Sequence, residues 1–341
     1  MRVTHVVVTS RFAGVERYVS SVAVELAARG HDVTVVGGAE APMRALRDAS
    51  VRWLPGSSLL QALRSLRQVR GSEVLHVHMT KAELAGTVVS AAYGSALVTT
   101  RHFAGRRGSG PAGRLFSRGF NRLDTQQIAI SRYVAERLER PPDLISLPGT
   151  SAADAPYDPT SRTVLVLQRL EREKETALAL QAWALAGLAD LGWRLRIVGE
   201  GAERPALEAL VRRHRLDASV DFEGWSDEVE RHLRESALLL ATTPVEALGL
   251  SVLEAMAAGV PVVASAAGGH LETVGAVPGA ALYPPGDAAE AARVLRRLAQ
   301  DPEQRVQLSE RGRAHQREHL SVARHVDDLE RAYEAALRTR S

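Results

Sequence analysis

The sequence of 341 residues contains no cysteine, few aromatic residues and only two lysines, Lys81 and Lys174, among its 43 basic residues. The absence of cysteine excludes a disulfide framework, a thiolate metal site and a cysteine nucleophile. The G-x-G-x-x-G fingerprint of dinucleotide-binding domains is also absent, since a single glycine, Gly14, closely follows the first predicted strand. The least charged stretch, residues 84–100, is interrupted by glycine and serine, so it predicts a helix and a strand rather than a membrane span.

Composition and charge are typical of a globular protein with two unlike halves. Hydrophobic residues make up 45% of the chain and charged residues 24%. Residues 1–150 hold 20 basic and 11 acidic side chains, a net charge of +9, whereas residues 151–341 hold 23 and 29, a net charge of −6. The basic half predicts contact with an acidic molecule or surface, and an arginine-rich solvated surface explains the counts equally well.

Short apolar segments alternate with amphipathic helices in two series. The predicted strands lie at residues 3–9, 33–36, 51–54, 74–77, 97–100, 127–130 and 144–147, and then at 163–167, 195–198, 220–222, 238–241, 260–264 and 281–283. Such alternation is typical of parallel sheets built from β-α-β units. We therefore predict two doubly wound, Rossmann-like α/β domains that face each other across a cleft, where strand ends bind phosphorylated ligands.

The segment between the two series is rich in proline, glycine and small polar residues, the composition of a linker. The predicted organisation is a first domain at residues 1–150, a linker at 151–160, a second domain at 161–319 and a terminal helix at 320–341. The first ten residues resemble a buried strand rather than a signal peptide. With the lack of cysteine, this predicts a cytoplasmic protein.

Two glutamates mark the most informative segment. Glu246 follows a predicted strand, and Glu254 lies one turn inside a predicted helix that has hardly any polar face. A carboxylate among apolar residues is costly unless it is paired, and the two hydroxyls of a ribose can pair with it. Glu246 can reach sugar hydroxyls, and the helix N-terminus from Leu248 through Gly249 to Leu250 offers N–H groups to a phosphate or to the sugar.

The same segment carries a family resemblance. Glu246, Glu254, the following A-M-A-A-G-V-P-V-V-A-S and G-G-H-L-E at 268–272 resemble the E-x7-E signature of the retaining family-four glycosyltransferases of GT-B fold. Further motifs in the family's order are A-G-V-E-R at 13–17, R-G-H-D-V at 29–33, I-S at 130–131, L-Q-R-L-E-R-E-K at 167–174, I-V-G-E-G at 197–201 and D-F-E-G at 221–224. The resemblance therefore covers nearly the whole chain.

The resemblance implies roles for particular residues. Arg169 and Lys174 would hold the donor diphosphate, and Glu254 the ribose. Glu246 and His102 would meet the donor sugar, and Gly14 would line the donor site. The first domain would bind the acceptor, with the terminal helix free to return to it. The reaction implied is a front-face displacement that keeps the anomeric configuration and uses the enzyme to position and desolvate.

Three departures from the family pattern are visible. Ala13 replaces a glycine of the first loop, Ala247 and Leu248 stand where glycine and phenylalanine are common, and Glu175 follows Lys174 where glycine is usual. The last two bear on donor-sugar identity more than on activity.

No metal or cofactor is expected. A D-x-D pair, which metal-dependent sugar transferases use, does not occur in the sequence. His76 and His78 have a spacing that zinc sites also use, but no third ligand is evident, and polar side chains near a strand end explain them without a metal. The nucleotide sugar is a substrate.

The acceptor side is predicted from charge. The segment 105–122 mixes five arginines with apolar residues, and Arg106, Arg107 and Arg114 are candidates for contact with an anionic lipid or a phosphorylated acceptor; a solvated loop is the alternative. The expected partners are a nucleotide-sugar donor, a small-molecule or lipid-linked acceptor and the anionic inner face of a membrane, and no nucleic acid. Two rival functions are a catalytically idle nucleotide-sugar-binding protein and a GT-B epimerase or phosphorylase.

Overall fold

A computed structural model of the chain describes residues 1–105, 126–152 and 156–339. The chain divides into two compact units. Unit 1 comprises Met1–Gly149 and Ser321–Ser341, and unit 2 comprises Thr150–Leu320. The chain therefore leaves unit 1 once and comes back to it.

Unit 1 contains a seven-stranded sheet in the order β3-β2-β1-β4-β5-β6-β7, with all neighbours parallel. Its strands are β1 Arg2–Val7, β2 Asp32–Gly37, β3 Arg52–Leu54, β4 Val74–His78, β5 Ala96–Arg101, β6 Gln126–Ala129 and β7 Leu144–Ile145. Its helices before the crossing to unit 2 are α1 Gly14–Ala28, α2 Glu40–Arg44, α3 Leu59–Leu66, α4 Thr80–Tyr93 and α5 Arg132–Ala135, with 3-10 turns at Ala45–Ala49 and Arg67–Val69.

Both faces of this sheet are covered, which explains why its central strands are apolar almost throughout. Successive side chains of a strand point to opposite faces. Val3 and Val7 pack with α1 on one face, whereas Val6 and Val8 pack with α3 and α4 on the other.

Unit 2 contains a six-stranded parallel sheet in the order β10-β9-β8-β11-β12-β13. Its strands are β8 Thr163–Leu167, β9 Arg194–Val198, β10 Val220–Gly224, β11 Leu238–Ala241, β12 Val262–Ser265 and β13 Ala281–Tyr283. Its helices are α6 Thr176–Ala186, α7 Arg204–Arg213, α8 Val229–Arg234, α9 Leu250–Ala258, α10 Ala288–Gln300 and α11 Pro302–His319, and its 3-10 turns are Arg172–Lys174, Ala189–Leu191, Gly268–Leu271 and Val274–Ala276.

The strand order of each sheet reverses once. The reversal falls between β1 and β4 in unit 1 and between β8 and β11 in unit 2. At such a point the loops from adjacent strands diverge, and a crevice opens at the carboxyl ends of the strands. The loop after β8 carries Arg169 and Lys174, and the loop after β11 carries Glu246.

The last helix, α12 Val322–Arg338, belongs to unit 1. Its apolar stripe, with Val326, Leu329 and Tyr333 fully buried, packs into the core formed by β1, β4 and α1. Arg29 at the end of α1 also pairs with Asp327 at 2.7 Å and with Glu330 at 2.8 Å. The predicted return of the terminal helix to the first domain is confirmed.

The prediction of two doubly wound α/β domains is confirmed, and all thirteen predicted strands are present. The differences are at the ends of strands: β1 stops at Val7 rather than Thr9, and β12 begins at Val262 rather than Val260, after Pro261, which has no N–H to give a ladder. Every helix among the described residues is too short or too polar to span a bilayer.

Candidate active site

Lys174 and Glu246 form an ion pair at the strand-order reversal of unit 2. The Lys174 ammonium lies 2.6 Å from Glu246 Oε2, although 72 residues separate the two in sequence. Both side chains are less than a fifth exposed. The fold therefore brings together two of the residues predicted from the sequence to bind the donor.

The backbone of Lys174 is fixed by two side chains that sequence reasoning missed. Gln168 and Thr242 both donate to the Lys174 carbonyl oxygen, at 3.0 and 2.7 Å, and Gln168 also contacts Thr176 and Thr242. Gln168 directly follows β8 and Thr242 directly follows β11. A polar residue immediately after each strand is therefore the signal from which they could have been found.

Two glycines let the Arg169 loop lie close to its neighbour. A Cβ at Gly199 would meet the Gln168 carbonyl oxygen at 1.9 Å, and one at Gly201 would meet that of Leu170 at 2.2 Å. In the space that the glycines leave, Leu170 N–H donates to Glu200 O at 2.9 Å. The I-V-G-E-G motif thus shapes the segment that presents Arg169 and Lys174.

Arg169 differs from Lys174 in its surroundings. Its side chain is 64% exposed, and its guanidinium donates to the Glu173 carboxylate at 2.9 Å. An exposed pair of this kind contributes little to stability, so the guanidinium can exchange Glu173 for an incoming phosphate at small cost.

A glycine pair supports the loop of Glu246. A Cβ at Gly268 would lie 2.3 Å from the Glu246 carbonyl oxygen, and one at Gly269 would lie 2.5 Å from Leu248 Cα. Gly269 N–H donates to that same Glu246 oxygen at 2.8 Å. The G-G-H-L-E motif at 268–272 therefore acts by close backbone approach to the loop that carries Glu246.

The Glu246 carboxylate is held in its charged form. Burial raises its pKa, but the charge and hydrogen bond of Lys174 outweigh burial, and the net pKa is lowered. Burial lowers the pKa of the neighbouring His270, against an opposing effect of Glu246. Lys174, Glu246 and His270 thus form a group of a cation, an anion and a neutral imidazole.

Helix α9 begins beside this pair. Gly249 has φ of +94°, which favours glycine, and Leu248 is buried. The first backbone bonds of the helix run from Val252 and Leu253 N–H to Gly249 O, so the N–H groups before them, including that of Leu250, belong to the turn that has no partner within the helix.

Glu254 is half-buried on α9, while the residues on either side of it are buried. Its carboxylate therefore stands at the edge of an apolar helix face. Glu254 is thus more accessible than its neighbours, and its pairing with ribose hydroxyls stays a prediction.

Glu175 stands in the left-handed region, with φ of 50° and ψ of 41°. A residue with a side chain is strained there and glycine is not. The glycine common in the family at this position thus answers a backbone requirement before α6, and the departure bears on the local strain.

In unit 1, Gly14 is the first residue of α1. Ala13 N–H donates to the buried Glu16 carboxylate at 2.8 Å, so Glu16 of the A-G-V-E-R motif fixes the start of the helix. Because α1 follows β1, Gly14 lies at the carboxyl end of β1, next to the strand-order reversal of unit 1.

His102 follows β5 and is 8% exposed. Its Nε2 lies 3.1 Å from His78 Nδ1, and His78 Nε2 lies 3.1 Å from His5 Nδ1. His5, His78 and His102 share one sheet face because strand alternation and register align them. The sequence made no third ligand evident near His76 and His78, but the structure places His5 of β1 beside them.

The nitrogens of His5, His76 and His78 lie within 4.8 Å of one another, so this group is the one metal-binding candidate among the described residues. Both ring nitrogens of His76 are already engaged, with Tyr333 at 2.6 Å and Thr100 at 2.7 Å. The group is fully buried and contains no carboxylate to balance a divalent charge. Its contacts fit a hydrogen-bonded histidine cluster better than a metal centre.

Arg106, Arg107 and Arg114 fall outside the described residues. A groove of about 520 Å³ in unit 2, lined by Trp183, Arg194 and others, lies at the amino ends of β9 and β10. Ligands of doubly wound sheets bind at the opposite, carboxyl ends.

Comparison with known families matches both parts of the chain. Residues 12–146 match the family described as Glycosyltransferase Family 4, and residues 151–315 match the family described as Glycosyl transferases group 1. The chain is 38% identical over 138 residues to the 2-deoxystreptamine glucosyltransferase of Streptomyces kanamyceticus. This alignment covers 39% of this chain and 35% of that protein. The chain thus spans about a third of the length of this relative.

A second relative that matches more of the chain and a solved structure show further similarity to glycosyltransferases. The 2-deoxystreptamine N-acetyl-D-glucosaminyltransferase of Streptomyces fradiae is 27% identical over 292 residues, covering 74% of this chain and 68% of that protein. The crystal structure of HepE from Anabaena, in complex with UDP and glucose, superimposes with a TM-score of 0.81 at 18% identity, over 98% of this chain and 99% of that one.

The chain therefore has the fold of GT-B glycosyltransferase structures, and each of its two parts matches a glycosyltransferase family model. Unit 1 corresponds to the Glycosyltransferase Family 4 model and unit 2 to the Glycosyl transferases group 1 model.

Proposed function

We propose that the protein transfers a hexosyl group from a nucleoside-diphosphate sugar to a hydroxyl of its acceptor, with retention of configuration and without a metal ion. The observation that carries the proposal is the Lys174–Glu246 pair at the strand-order reversal of unit 2, 2.6 Å apart. It supports the proposal because a cation, and an anion that can accept hydrogen bonds from hydroxyls, lie where doubly wound sheets bind phosphorylated ligands.

The proposed chemistry follows from these groups. The bond between the anomeric carbon and the diphosphate oxygen breaks, and the acceptor oxygen bonds to the same face of that carbon. The acceptor proton passes to the leaving oxygen. Charge grows on the diphosphate as this happens, and Lys174, Arg169 and the N-terminus of α9 stabilise it, since donors fixed in advance need no rearrangement.

The remaining groups position the donor. We assign Glu254 to the ribose, Glu246 to the sugar hydroxyls, and Leu248, Gly249 and Leu250 to the phosphate or sugar through their N–H groups. The assignments of Gly14 and His102 rest on the family resemblance. We propose UDP as the first nucleotide to test, since HepE was crystallised with UDP and glucose.

The acceptor is proposed from the relatives and the charge. The two Streptomyces relatives are named for 2-deoxystreptamine, which favours a small polar natural product. The net charge of +9 on residues 1–150 favours an anionic or membrane-borne acceptor, to which Arg106, Arg107 and Arg114 would contribute at the inner face of a membrane. A liposome flotation assay with and without anionic lipid separates the two.

Transfer is tested by nucleotide release. UDP-glucose and UDP-N-acetylglucosamine are incubated with the protein and an acceptor panel that includes 2-deoxystreptamine, and both UDP and the anomer of the product are measured. An α-linked product from an α-linked donor supports the proposal, as does activity that persists in EDTA. Binding of UDP without turnover on any acceptor favours the idle binding protein, and loss of activity in EDTA that Mg²⁺ restores contradicts the metal-free mechanism.

A further inference from the structure

Three histidines connect the buried centre of unit 1 to the residue assigned to the donor sugar. His5 lies on β1, His78 ends β4 and His102 follows β5. His5 and His78 are fully buried, whereas His102 retains 8% exposure. The series thus runs from the interior of the sheet face toward its accessible end.

The two nitrogen-to-nitrogen contacts restrict where the protons lie. Each contact of 3.1 Å joins an Nδ1 atom to an Nε2 atom, from His5 to His78 and from His78 to His102. A neutral imidazole carries one proton, so one of its nitrogens donates and the other accepts. If His78 donates from Nδ1, then His102 carries its proton on Nδ1 and so does His5. Otherwise all three carry it on Nε2.

The rings are neutral in the folded protein. Burial lowers the pKa of His5 and of His102 to about 3, and burial together with the neighbouring histidines lowers the pKa of His78 well below its ordinary value. The three tautomers are therefore coupled throughout the neutral pH range.

The buried end of the series distinguishes the two arrangements. His5 Nε2 is buried and has no hydrogen-bond partner among the described residues. With protons on Nε2, the series would end in a buried N–H group without an acceptor, which is rarer in proteins than an unpartnered acceptor. With protons on Nδ1, only a lone pair is left without a partner.

We propose that His5 and His78 are positioning residues that fix His102 as the Nδ1–H tautomer. His102 Nε2 is then occupied by His78, and Nδ1–H is the group available to an oxygen of the donor sugar. The sugar contact rests on the proposed function, whereas the tautomer is a property of the protein alone. His76 stands outside the series because Tyr333 and Thr100 occupy both of its nitrogens.

The test reads the tautomers directly in the full-length protein without substrate. Long-range proton–nitrogen correlation spectra of ¹⁵N-histidine-labelled protein distinguish Nδ1–H from Nε2–H rings, and single-histidine variants assign the signals. We expect His5, His78 and His102 all to be Nδ1–H. Three Nε2–H rings, unlike tautomers within the series, or stoichiometric zinc bound to these rings would overturn the proposal.

Variants then test the coupling. In His5→Leu we expect His102 to lose its Nδ1–H preference and turnover to fall about five-fold, the effect of one net hydrogen bond, with little change in donor KM. His5→Asn, whose amide replaces Nδ1, should restore both. Val35→Ala, at the residue paired with His5 in the sheet, opens a similar hole and should leave the His102 spectrum unchanged.

The test of turnover and the test of the tautomers have independent outcomes. A protein with no transferase activity still reports the tautomers, so failure of the proposed function leaves this test intact. An unchanged His102 spectrum in folded His5→Leu would overturn the positioning role whether or not the enzyme is active.

Discussion

Lys174 and Glu246 neutralise each other, since their charged groups lie 2.6 Å apart. The Lys174 ammonium is therefore held in place, and its charge is partly compensated. In the proposed donor complex, a diphosphate would add negative charge beside Lys174, and the sugar hydroxyls would donate to Glu246. Under this proposal the pair is preorganised, and the donor would engage the cation through its diphosphate and the anion through its sugar.

Lys174→Ala should lower turnover roughly 10²- to 10³-fold, the scale of losing one preorganised electrostatic contact. The chain provides a matched control, because Lys81 is its other lysine and is exposed on α4. Steady-state kinetics with saturating donor measure the effect, and Lys81→Ala should behave like the wild type. Equal turnover of the Lys174→Ala and Lys81→Ala variants would show that Lys174 does not take part in the reaction.

The two glutamates should separate in binding and turnover. Glu254→Ala should weaken UDP binding by roughly 1–3 kcal/mol, because the ribose hydroxyls lose an ionised acceptor. Glu246→Ala should mainly reduce turnover. Isothermal titration with UDP measures the first effect, and Glu310→Ala, at an exposed position on α11, is the control. If both active-site variants lost the same UDP affinity, the division of roles would be wrong.

Gly201→Ala should destabilise unit 2 and reduce donor binding, because the new Cβ would lie 2.2 Å from the Leu170 carbonyl oxygen and must displace the Arg169 loop. Gly312→Ala is the matched change, since Gly312 lies within α11 and a Cβ there meets nothing within 4 Å. We expect Gly312→Ala to stabilise by roughly 0.5–1 kcal/mol from helix propensity. Urea unfolding compares the two, and a Gly201→Ala protein as stable as the wild type would contradict the assigned close approach.

Unit 1 should lose stability as the pH falls below about 6.5, the ordinary histidine pKa. Burial lowers the pKa of five of its histidines in the folded state: His5 and His102 to about 3, His325 to about 4, and His76 and His78 well below the ordinary value. The unfolded chain then binds more protons than the folded chain, so the free energy of unfolding falls with pH, by up to about 1.4 kcal/mol per pH unit for each histidine.

Urea unfolding at pH 7.5, 6.5 and 5.5 measures this slope. His5→Leu removes one such group and should make the slope shallower by about one proton, whereas Val35→Ala, which removes no ionisable group, should leave the slope unchanged. A wild-type stability that stays constant from pH 7.5 to 5.5 would show that the histidines are not buried in neutral form.

The fold and much of the site could be predicted because they depend on local patterns. The thirteen strands follow from short apolar runs, and Lys174 and Glu246 follow from motifs whose spacing is set within one loop each. His5 could not be predicted as a neighbour of His78. Its position in β1 fixes the sheet face, but only the pairing of β1 with β4 brings the two rings together, and the two histidines are 73 residues apart in the chain.

Gln168 and Thr242 were missed for a related reason. Each is a polar residue at a strand end, which is a common place for one. Both side chains donate to the Lys174 carbonyl oxygen, and they come within reach of it together only because β8 and β11 are neighbours in the sheet. For Glu175 the sequence already showed that the usual glycine is absent. The structure added the reason for that glycine, a left-handed backbone conformation that glycine adopts without strain.

Helix α12 makes the order of synthesis matter for unit 1. The ribosome completes residues 1–149 first, yet Val326, Leu329 and Tyr333, which fill that core, follow only after the 171 residues of unit 2, from 150 to 320. At about 5–20 residues per second, this interval lasts roughly 10–30 s. During that time the nascent unit 1 exposes the face that α12 will cover, including the partner of Tyr333, His76. The unit that begins translation first is therefore the last to finish folding.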